Sequence, residues 1–402
     1  MPKDERQSTA YLPGESALDP FAGGPLFRLL LRARLIDSGL HRVGLRIAFT
    51  AALIWLPLLV LSIIEGHFLG GHTAIPFARD IECHVRFLVV VPLLIAAEPF
   101  VSQRLITWVA QFHERELIPE DSMARFDRSL VSARRLRDSA LAEAVLLAIV
   151  YGFGVLVVWR QFVALDASSW YSIPSAAGGK LSMAGFWYAG VSLPLFQFLL
   201  GRWYWRLFIS ARFLWDVSRI PLRLVPTHPD RMGGHGFLAG ALKAYVPLAL
   251  AHGALVSGQL ANRILFAGGK LPQFIIEIAT VVVALLAVLT GPLWVFAPQL
   301  AAAKRVGIRE YGALAQRYMR AFDDKWIKGP APADEPLIGS ADIQSLADMG
   351  NSFGVIEEMR ISPVSRGAIL QLAAAFLAPI VPLALTMMPA EKLIQSLIGL
   401  VL

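Results

Sequence analysis

The stretch FLVVVPLLIAAEPFVSQRLITWV, residues 87–109, decides the fold of this chain. It is longer than the roughly 20 residues that an α-helix needs to cross about 30 Å of hydrocarbon. Backbone N–H and C=O groups find no water in lipid, so such a stretch can span a membrane only as a helix. Six further stretches resemble it, at residues 47–64, 141–158, 184–200, 242–260, 274–296 and 369–388. The sequence therefore predicts an all-α, polytopic bundle of about seven transmembrane helices.

Composition and charge agree with a membrane protein. Hydrophobic residues make up 56% of the chain and charged residues only 17%, against roughly 25% charged residues in soluble domains. The net charge of +7 does not indicate a nucleic-acid partner, because Lys and Arg concentrate in alternate connections between the apolar stretches. The positive-inside rule then predicts a cytoplasmic N-terminus and an external C-terminus. The lipid bilayer is the partner that this pattern predicts, and no cofactor is expected.

The pattern divides the chain into four segments. Residues 1–43 are expected to form a disordered tail and an amphipathic helix at the membrane interface. Residues 44–300 hold six spans with cytoplasmic loops, and residues 301–367 form a cytoplasmic helical segment in which Ser340 is a predicted N-cap. Residues 368–402 contain the seventh span and a C-terminal interfacial helix. The basic segment that precedes the third apolar stretch is expected to continue that helix below the membrane.

Three sequence stretches carry a resemblance to a known group. They are PTHPDRMGG at residues 226–234, DIECHVRFLVVVPLLIAAE at residues 80–98 and GSADIQSLADMGNSF at residues 339–353. They resemble an uncharacterised family of bacterial multi-pass membrane proteins with a THPDRxGG cytoplasmic loop. The resemblance implies a bacterial inner-membrane protein, but it brings no activity, ligand or catalytic residue with it.

The loop at residues 227–236 is the densest group of polar residues. Its glycines can adopt backbone angles that other residues avoid, and it is expected to lie just before a helix N-terminus. One hypothesis is an anion-binding loop, with the candidate residues Thr227, His228, Asp230, Arg231, Gly233 and Gly234. A second hypothesis is that His228, Asp230 and His235 are metal ligands, although their spacing matches no known zinc signature. The third is a rigid hairpin in which an Asp–Arg pair fixes two helices, and glycine-rich turns of that kind are far commoner.

Glu98 is the most informative residue inside the membrane. It lies about 18 Å along the helix from Arg86, which predicts a depth slightly past the bilayer centre. A carboxylate at that depth needs a partner or water. The candidates at a similar depth are His252 and Gln197, with Arg104 and Arg202 nearer the cytoplasm. One hypothesis is a group that handles protons or cations. The other is a hydrogen-bonded carboxyl that holds the bundle together.

The first external loop contains residue types that bind zinc, namely His67, His72, Asp80, Glu82 and His84. Imidazole and carboxylate are suitable ligands, but the spacing matches no recognised metal motif, so solvated loop polarity is the preferred interpretation and no metal site is predicted. Further along, Trp203, Tyr204 and Trp205 are interpreted as an aromatic belt at the inner interface.

Three functional hypotheses remain open. The first is ion or small-solute transport, built on Glu98 and the proline-containing helices. The second is a non-catalytic scaffold or signalling subunit that docks a protein partner, or forms a homo-oligomer, through its cytoplasmic layer. The third is a membrane-embedded enzyme acting on lipid or phosphorylated headgroups at the 227–236 loop. An enzyme is not favoured, since the sequence lacks a Walker loop, a GxSxG elbow and an HExxH motif.

Overall fold

A computed structural model of the protein describes residues 23–25, 42–70, 73–154, 169–173, 180–329, 336–337 and 340–387. All structural statements below concern these residues. The predicted N-terminal tail with its interfacial helix, and the predicted C-terminal interfacial helix, lie outside them except for isolated residues.

The described chain is built almost entirely of helices. In order they are α1 (Val43–Ile64), α2 (Ile81–Glu114), α3 (Met123–Arg137), α4 (Ala140–Ile149), α5 (Met183–Val217), α6 (Gly236–Ala267), α7 (Leu271–Ile327), α8 (Ala341–Glu357) and α9 (Arg366–Leu377). One antiparallel pair of short strands, β1 (Ser172–Ile173) and β2 (Lys180–Leu181), precedes α5. The predicted all-α bundle is confirmed.

Five of these helices, α1, α2, α5, α6 and α7, are long and apolar enough to cross a membrane. Helix α9 and the 3-10 helix Val381–Met387 pass the same test together, with a bend of 50° between them, and would make a sixth span. Helix α4 begins the third apolar stretch, but residues 155–158 of that stretch lie outside the described part. The count of seven spans therefore stays a prediction.

Apolar side chains cover much of the outer surface of the spans. Phe49, Leu56 and Ile64 of α1 are exposed, as are Ile276 and Val283 of α7. In water such a surface would be strongly unfavourable, whereas lipid tails solvate it well. The interior is organised around α2, which packs against α1, α5 and α6.

Four spans contain an irregular turn beside a proline. A π-helical turn comes just before Pro92 in α2 and another before Pro194 in α5, while a 3-10 turn precedes Pro247 in α6 and another contains Pro292 in α7. Proline has no N–H group, so the carbonyl four residues earlier loses its helical partner and the local winding changes. In α5 that carbonyl belongs to Gly190, and it accepts a hydrogen bond from the Tyr151 hydroxyl at 3.3 Å.

Helices α6 and α9 approach each other closely at Gly253. A Cβ atom there would collide with the backbone of Phe376, so only glycine permits the contact. Ser257, one turn further along α6, donates its hydroxyl to the carbonyl of Pro379 at 2.6 Å. The bent pair is therefore fastened to α6 by close packing and a hydrogen bond, as is common between membrane helices.

The segment before the third apolar stretch differs from its prediction. Helix α3 ends at Arg137 and a new helix, α4, begins after Ser139, whose side chain accepts from the N–H of Ala142. The prediction of one continuous helix was wrong, because α3 ends at Arg137 and the cap of Ser139 starts a second helix. The predicted cap at Ser340 is confirmed. The predicted segment boundary at residues 300 and 301 falls inside α7, which continues without a break to Ile327.

Candidate functional site

Glu98 lies between two arginines that come from different helices. Each carboxylate oxygen accepts a hydrogen bond from a different arginine. Nη2 of Arg46 on α1 donates to one oxygen at 2.5 Å, and Nη1 of Arg206 on α5 donates to the other at 2.7 Å. Glu98 itself is only 6% exposed. Such buried, charge-assisted bonds are short and strongly directional, so Glu98 joins α1, α2 and α5.

A third arginine, Arg202, lies one helical turn before Arg206. Its closest acidic partner is Glu143 of α4, with 3.6 Å between Nε and Oε1. Arg202 is 7% exposed and forms no hydrogen bond within the described residues. It lines a small cavity of about 20 Å³ whose wall also includes Arg137, Glu143 and Arg206. We call Arg46, Glu98, Glu143, Arg202 and Arg206 the inner cluster.

The inner cluster lies near one end of the spans. Arg46 is in the first turn of α1, a helix of 22 residues that is about 33 Å long and so matches the hydrocarbon thickness. Glu98 is about 26 Å beyond Ile81, the first residue of α2. The depth expected from the sequence was closer to the bilayer centre, because the outer end of α2 was placed at Arg86 rather than at Ile81.

The charges of the inner cluster make it a poor site for a cation. Three guanidinium groups face two carboxylates, and both oxygens of Glu98 already accept from arginine. One further guanidinium nitrogen, Nη1 of Arg46, is buried with no hydrogen-bond partner in the described structure. Buried donors without acceptors are costly, and the field of the surplus guanidinium favours an anion.

Two expected partners of Glu98 are used elsewhere. His252 has Nδ1 2.8 Å from the carbonyl of Leu248, and its Nε2 lies 2.8 Å from the Tyr204 hydroxyl. Gln197 lies against Gly154, the last residue of the π-helical turn that follows α4. Of the candidates from the sequence, only Arg202 belongs to the inner cluster.

The aromatic segment of α5 also differs from its interpretation. Trp203 is 2% exposed, donates to the carbonyl of Leu94 at 3.1 Å and lies against the guanidinium of Arg206. Tyr204 is exposed, as an interfacial residue would be. Trp203 therefore supports the inner cluster from within the bundle.

A second group of charged residues lies at the opposite end of α2 and α5. Asp80 accepts from the N–H of Cys83 at 3.0 Å, from Nε1 of Trp170 at 2.8 Å and from Nδ2 of Asn262 at 2.7 Å. Arg86 donates to the Glu82 carboxylate and to the Tyr188 hydroxyl. We call Asp80, Glu82, Arg86, Trp170, Tyr188 and Asn262 the outer cluster, and both cluster names follow the topology predicted from the sequence.

The remaining external-loop candidates are separated by these contacts. Nδ1 of His84 accepts from Nε1 of Trp55 at 3.0 Å, and Glu82 is paired with Arg86. His67 lies in the loop after α1, where its Nδ1 is buried without a partner among the described residues, and His72 lies outside them. Within the described chain, no group of three or more His, Cys, Asp or Glu residues could hold a metal ion.

The glycine-rich loop closes around its own aspartate. The carboxylate of Asp230 accepts from the N–H groups of Met232 at 2.8 Å, Gly234 at 3.2 Å and Gly236 at 2.8 Å. Partial burial acts to raise the pKa of Asp230, but these three donors outweigh it and lower the pKa below its usual value. Gly233 and Gly234 have positive φ angles of 62° and 95°, which glycine adopts without strain. Asp230 thus occupies the place that an external anion would take.

The other loop candidates fasten this hairpin to its surroundings. Nδ1 of His228 lies 3.0 Å from Asp230. Arg231 pairs with Glu358, just after α8, at 2.7 Å, and its carbonyl accepts from the N–H of Arg360 at 2.8 Å. Thr227 is half-buried beside them. These contacts make the loop a rigid hairpin, but the Asp–Arg pair expected from the sequence is not formed among the described residues, because Asp230 accepts from backbone N–H groups and Arg231 pairs with Glu358.

His235, the residue after Gly234, is considered from the sequence only as a possible metal ligand and not as part of the anion-binding loop. It is 1% exposed, and its ring packs against Phe112, Phe237 and Phe296. Neither ring nitrogen has a partner in the described structure. Burial lowers the pKa of His235 to about 4 against the opposing effect of Asp230, so the ring is neutral at physiological pH.

No family model, curated protein or solved structure matches this chain. The resemblance to bacterial multi-pass membrane proteins therefore stays a prediction, and function has to be argued from the geometry of the clusters.

Proposed function

We propose that this protein transports a small anion across the membrane and that the anion binds at the inner cluster. One observation carries the proposal. Arg202 is a buried guanidinium that has no hydrogen bond within the described residues and lines a cavity. A guanidinium has five N–H donors, and those of Arg202 that face the cavity have no acceptor among the described residues. A bound anion would supply the missing acceptor.

The size of the cavity supports a small ligand. Its volume of about 20 Å³ exceeds the roughly 10–15 Å³ that one water molecule requires. A halide-sized ion fits such a space, whereas a larger oxyanion would require the walls to move. The expected substrates are therefore monovalent ions such as chloride and bromide.

The irregular turns of the spans support transport over simple binding. Transport requires the site to open towards each side in turn, and helices bend most readily where their regular hydrogen bonding is interrupted. The π-helical turns of α2 and α5 begin at Arg86 and Tyr188, which are hydrogen-bonded to each other. Both helices continue from these turns into the inner cluster, so a change at the outer end would be passed on to the anion site.

Chloride flux from proteoliposomes tests the proposal. Vesicles loaded with chloride are diluted into impermeant anion with a potassium ionophore, and release is followed with a chloride electrode. Vesicles that contain the unmodified protein should release chloride faster than chloride-loaded vesicles without protein. Arg202→Gln should reduce that rate by at least about tenfold, since a charged hydrogen bond to the ion contributes roughly 1.5–3 kcal/mol.

Arg212→Gln is the matched control for the flux measurement. Arg212 lies on the same helix but is largely exposed and pairs with Asp216, so its substitution should leave the chloride rate unchanged. The proposal would be overturned if the unmodified protein released chloride no faster than protein-free vesicles, or if Arg202→Gln and Arg212→Gln lowered the release rate equally.

A second candidate function, a scaffold that assembles with further copies of itself, is favoured by α7. The exposed apolar surface of its membrane-spanning part is covered by lipid, so this candidate rests on the part of the helix that follows. Further along the same helix, Ala303 and Val306 form one wall of a groove of about 770 Å³, opposite Leu222 and Val225. Native mass spectrometry in lipid nanodiscs should then show a dimer or larger assembly that Val306→Glu disrupts. A monomer at all concentrations would exclude this candidate.

A further inference from the structure

A separate groove runs along the end of α2 beyond the inner cluster. It has a volume of about 550 Å³ and is lined by Gln103, Arg104, Thr107, Trp108, Gln111, Arg115, Phe237 and Gly240. Arg104 and Arg115 are eleven residues apart, which is close to three helical turns, so they face the same side about 16 Å from each other. Polar side chains fill the interval between two cations on one helix face.

The two arginines of this groove are not neutralised by acids. Neither forms an ion pair within the described residues, and no acidic side chain lines the groove. Arg104 lies over the ring of Phe100 at 5.1 Å, and Arg115 lies over Phe237 at 5.2 Å while donating to the carbonyl of Gly234. These aromatic contacts orient the guanidinium groups but leave most of their donors available.

The position of the groove matches the headgroup region of a bilayer. Arg104 lies about 9 Å beyond Glu98 along α2, and Arg115 follows the last residue of that helix. Phe100, at the near end of the groove, is exposed among the apolar residues of the span. The groove thus extends from the edge of the hydrocarbon into the polar layer, where phospholipid phosphates lie.

We infer that this groove binds the phosphate-bearing headgroup of an anionic phospholipid. Arg104 and Arg115 supply the positive charge, with guanidinium groups suited to phosphate oxygens. Gln103, Thr107 and Gln111 supply polar groups for the rest of the headgroup, and Oε1 of Gln111 is buried without a hydrogen-bond donor among the described residues. An unpaired acceptor beside two cations suits a headgroup with both phosphate and hydroxyl groups, such as phosphatidylglycerol.

Native mass spectrometry of the purified protein tests this inference. The protein is placed in phosphatidylcholine nanodiscs with increasing phosphatidylglycerol, and lipid retention is compared between variants. Arg104→Gln combined with Arg115→Gln should weaken phosphatidylglycerol retention roughly 10- to 30-fold, since each arginine near an anionic lipid surface strengthens binding roughly three- to fivefold. Arg128→Gln combined with Arg309→Gln removes the same charge from exposed sites elsewhere and should change retention less than twofold.

A second variant tests the shape of the groove without changing its charge. A side chain at Gly240 would meet open space, so Gly240→Leu should fill the groove while α6 still forms. It should weaken lipid retention as the arginine pair does and leave chloride flux through the inner cluster unaltered. This keeps the lipid site and the proposed transport function separable.

The source of the phosphate is decided by competition. Millimolar glycerol phosphate or inorganic phosphate should fail to displace the lipid; displacement would support the phosphate site but assign it to soluble phosphate compounds. Retention of phosphatidylglycerol within twofold of the unmodified protein in both Gly240→Leu and the double arginine variant would overturn the inference.

Discussion

The outer and inner clusters lie at opposite ends of α2 and α5, yet their surplus charges are stabilised differently. The outer cluster has two carboxylates and one guanidinium, and its surplus acid, Asp80, accepts from three neutral donors at 3.0 Å or less. The inner cluster has three guanidinium groups and two carboxylates, and its surplus base, Arg202, has no hydrogen bond within the described residues. Hydrogen bonds within the protein stabilise the surplus charge at one end, and at the other end we propose that a bound anion does so.

This difference follows from the residue types available at each end. Tryptophan, asparagine and backbone N–H groups can stabilise a carboxylate without adding charge. A guanidinium needs acceptors, but Leu146, Trp205 and Ile209 beside Arg202 offer no side-chain acceptor. Its acidic neighbour Glu143 lies 3.6 Å from Nε, beyond hydrogen-bond distance. A buried guanidinium without a protein acceptor is costly, and a bound anion would lower that cost.

The largest expected effect is at Glu98. Glu98→Gln keeps the shape of the side chain but removes the negative charge between Arg46 and Arg206. Removing one partner of a buried ion pair leaves the other charges uncompensated, and the free energy of unfolding should fall by about 3–5 kcal/mol. Equilibrium unfolding in mixed micelles, followed by circular dichroism, measures this change. A loss below about 1 kcal/mol would mean that the inner cluster is not held together by Glu98.

His235 separates the effect of burial from the effect of charge, since it is as buried as either cluster but neutral. Its pKa is about 4 in the folded protein and about 6.5 in an unfolded chain. Between these values the unfolded state binds more protons, so stability should fall as the pH drops from about 6.5 to 4, by about 3 kcal/mol in total.

His235→Phe should flatten the stability profile over the same pH window, because phenylalanine does not titrate and suits the surrounding aromatic rings. His113 is exposed on α2, and His113→Gln should leave the profile unchanged. If the acid-sensitive step persists in His235→Phe, acid acts on another group, and the two clusters become the first candidates.

Asp80→Asn tests the outer cluster and should cost less than the change at Glu98. The asparagine oxygen can still accept from two of the three donors, and no charged partner is left unpaired. One lost or weakened hydrogen bond corresponds to about 1–2 kcal/mol, measured by the same unfolding experiment. A loss as large as that of Glu98→Gln would show that the outer cluster depends equally on its charge, and the comparison would fail.

The sequence predicts the helices far better than it predicts these clusters. Apolar length alone identifies the spans, because lipid imposes helical hydrogen bonding. Which face of a span points inward is much harder to predict, since both the core and the lipid are apolar and the amphipathic signal nearly disappears. Glu98 was identifiable as a rare intramembrane acid, but its partners Arg46 and Arg206 are 52 and 108 residues away.

One signal for the inner cluster was present in the sequence. Arg202 and Arg206 are four residues apart, which places both on one face of α5, within an apolar and aromatic helix. The positive-inside rule already accounts for arginines at that end of a span. The sequence alone therefore favours a role in membrane orientation for the arginines and a role as an interfacial aromatic belt for the tryptophans between them. Two arginines on the same inward face also call for an acid, and Glu98 is the nearest intramembrane candidate.

The smallest expected effect is at Arg202. Arg202→Gln removes the guanidinium that has no hydrogen bond to any described residue, so the inner cluster would keep two guanidinium groups against two carboxylates. Losing a poorly compensated buried charge relieves its desolvation, and the free energy of unfolding should change by less than about 1 kcal/mol. Arg206→Gln, one turn away, removes a charge paired with Glu98 at 2.7 Å and should cost about 3 kcal/mol.

Adding 0.1 M chloride should raise the unfolding temperature of the unmodified protein and of the Arg212→Gln control, but not that of Arg202→Gln. Equal destabilisation by Arg202→Gln and Arg206→Gln, with no response to chloride, would make Arg202 an ordinary structural arginine and leave the two ends of the molecule alike.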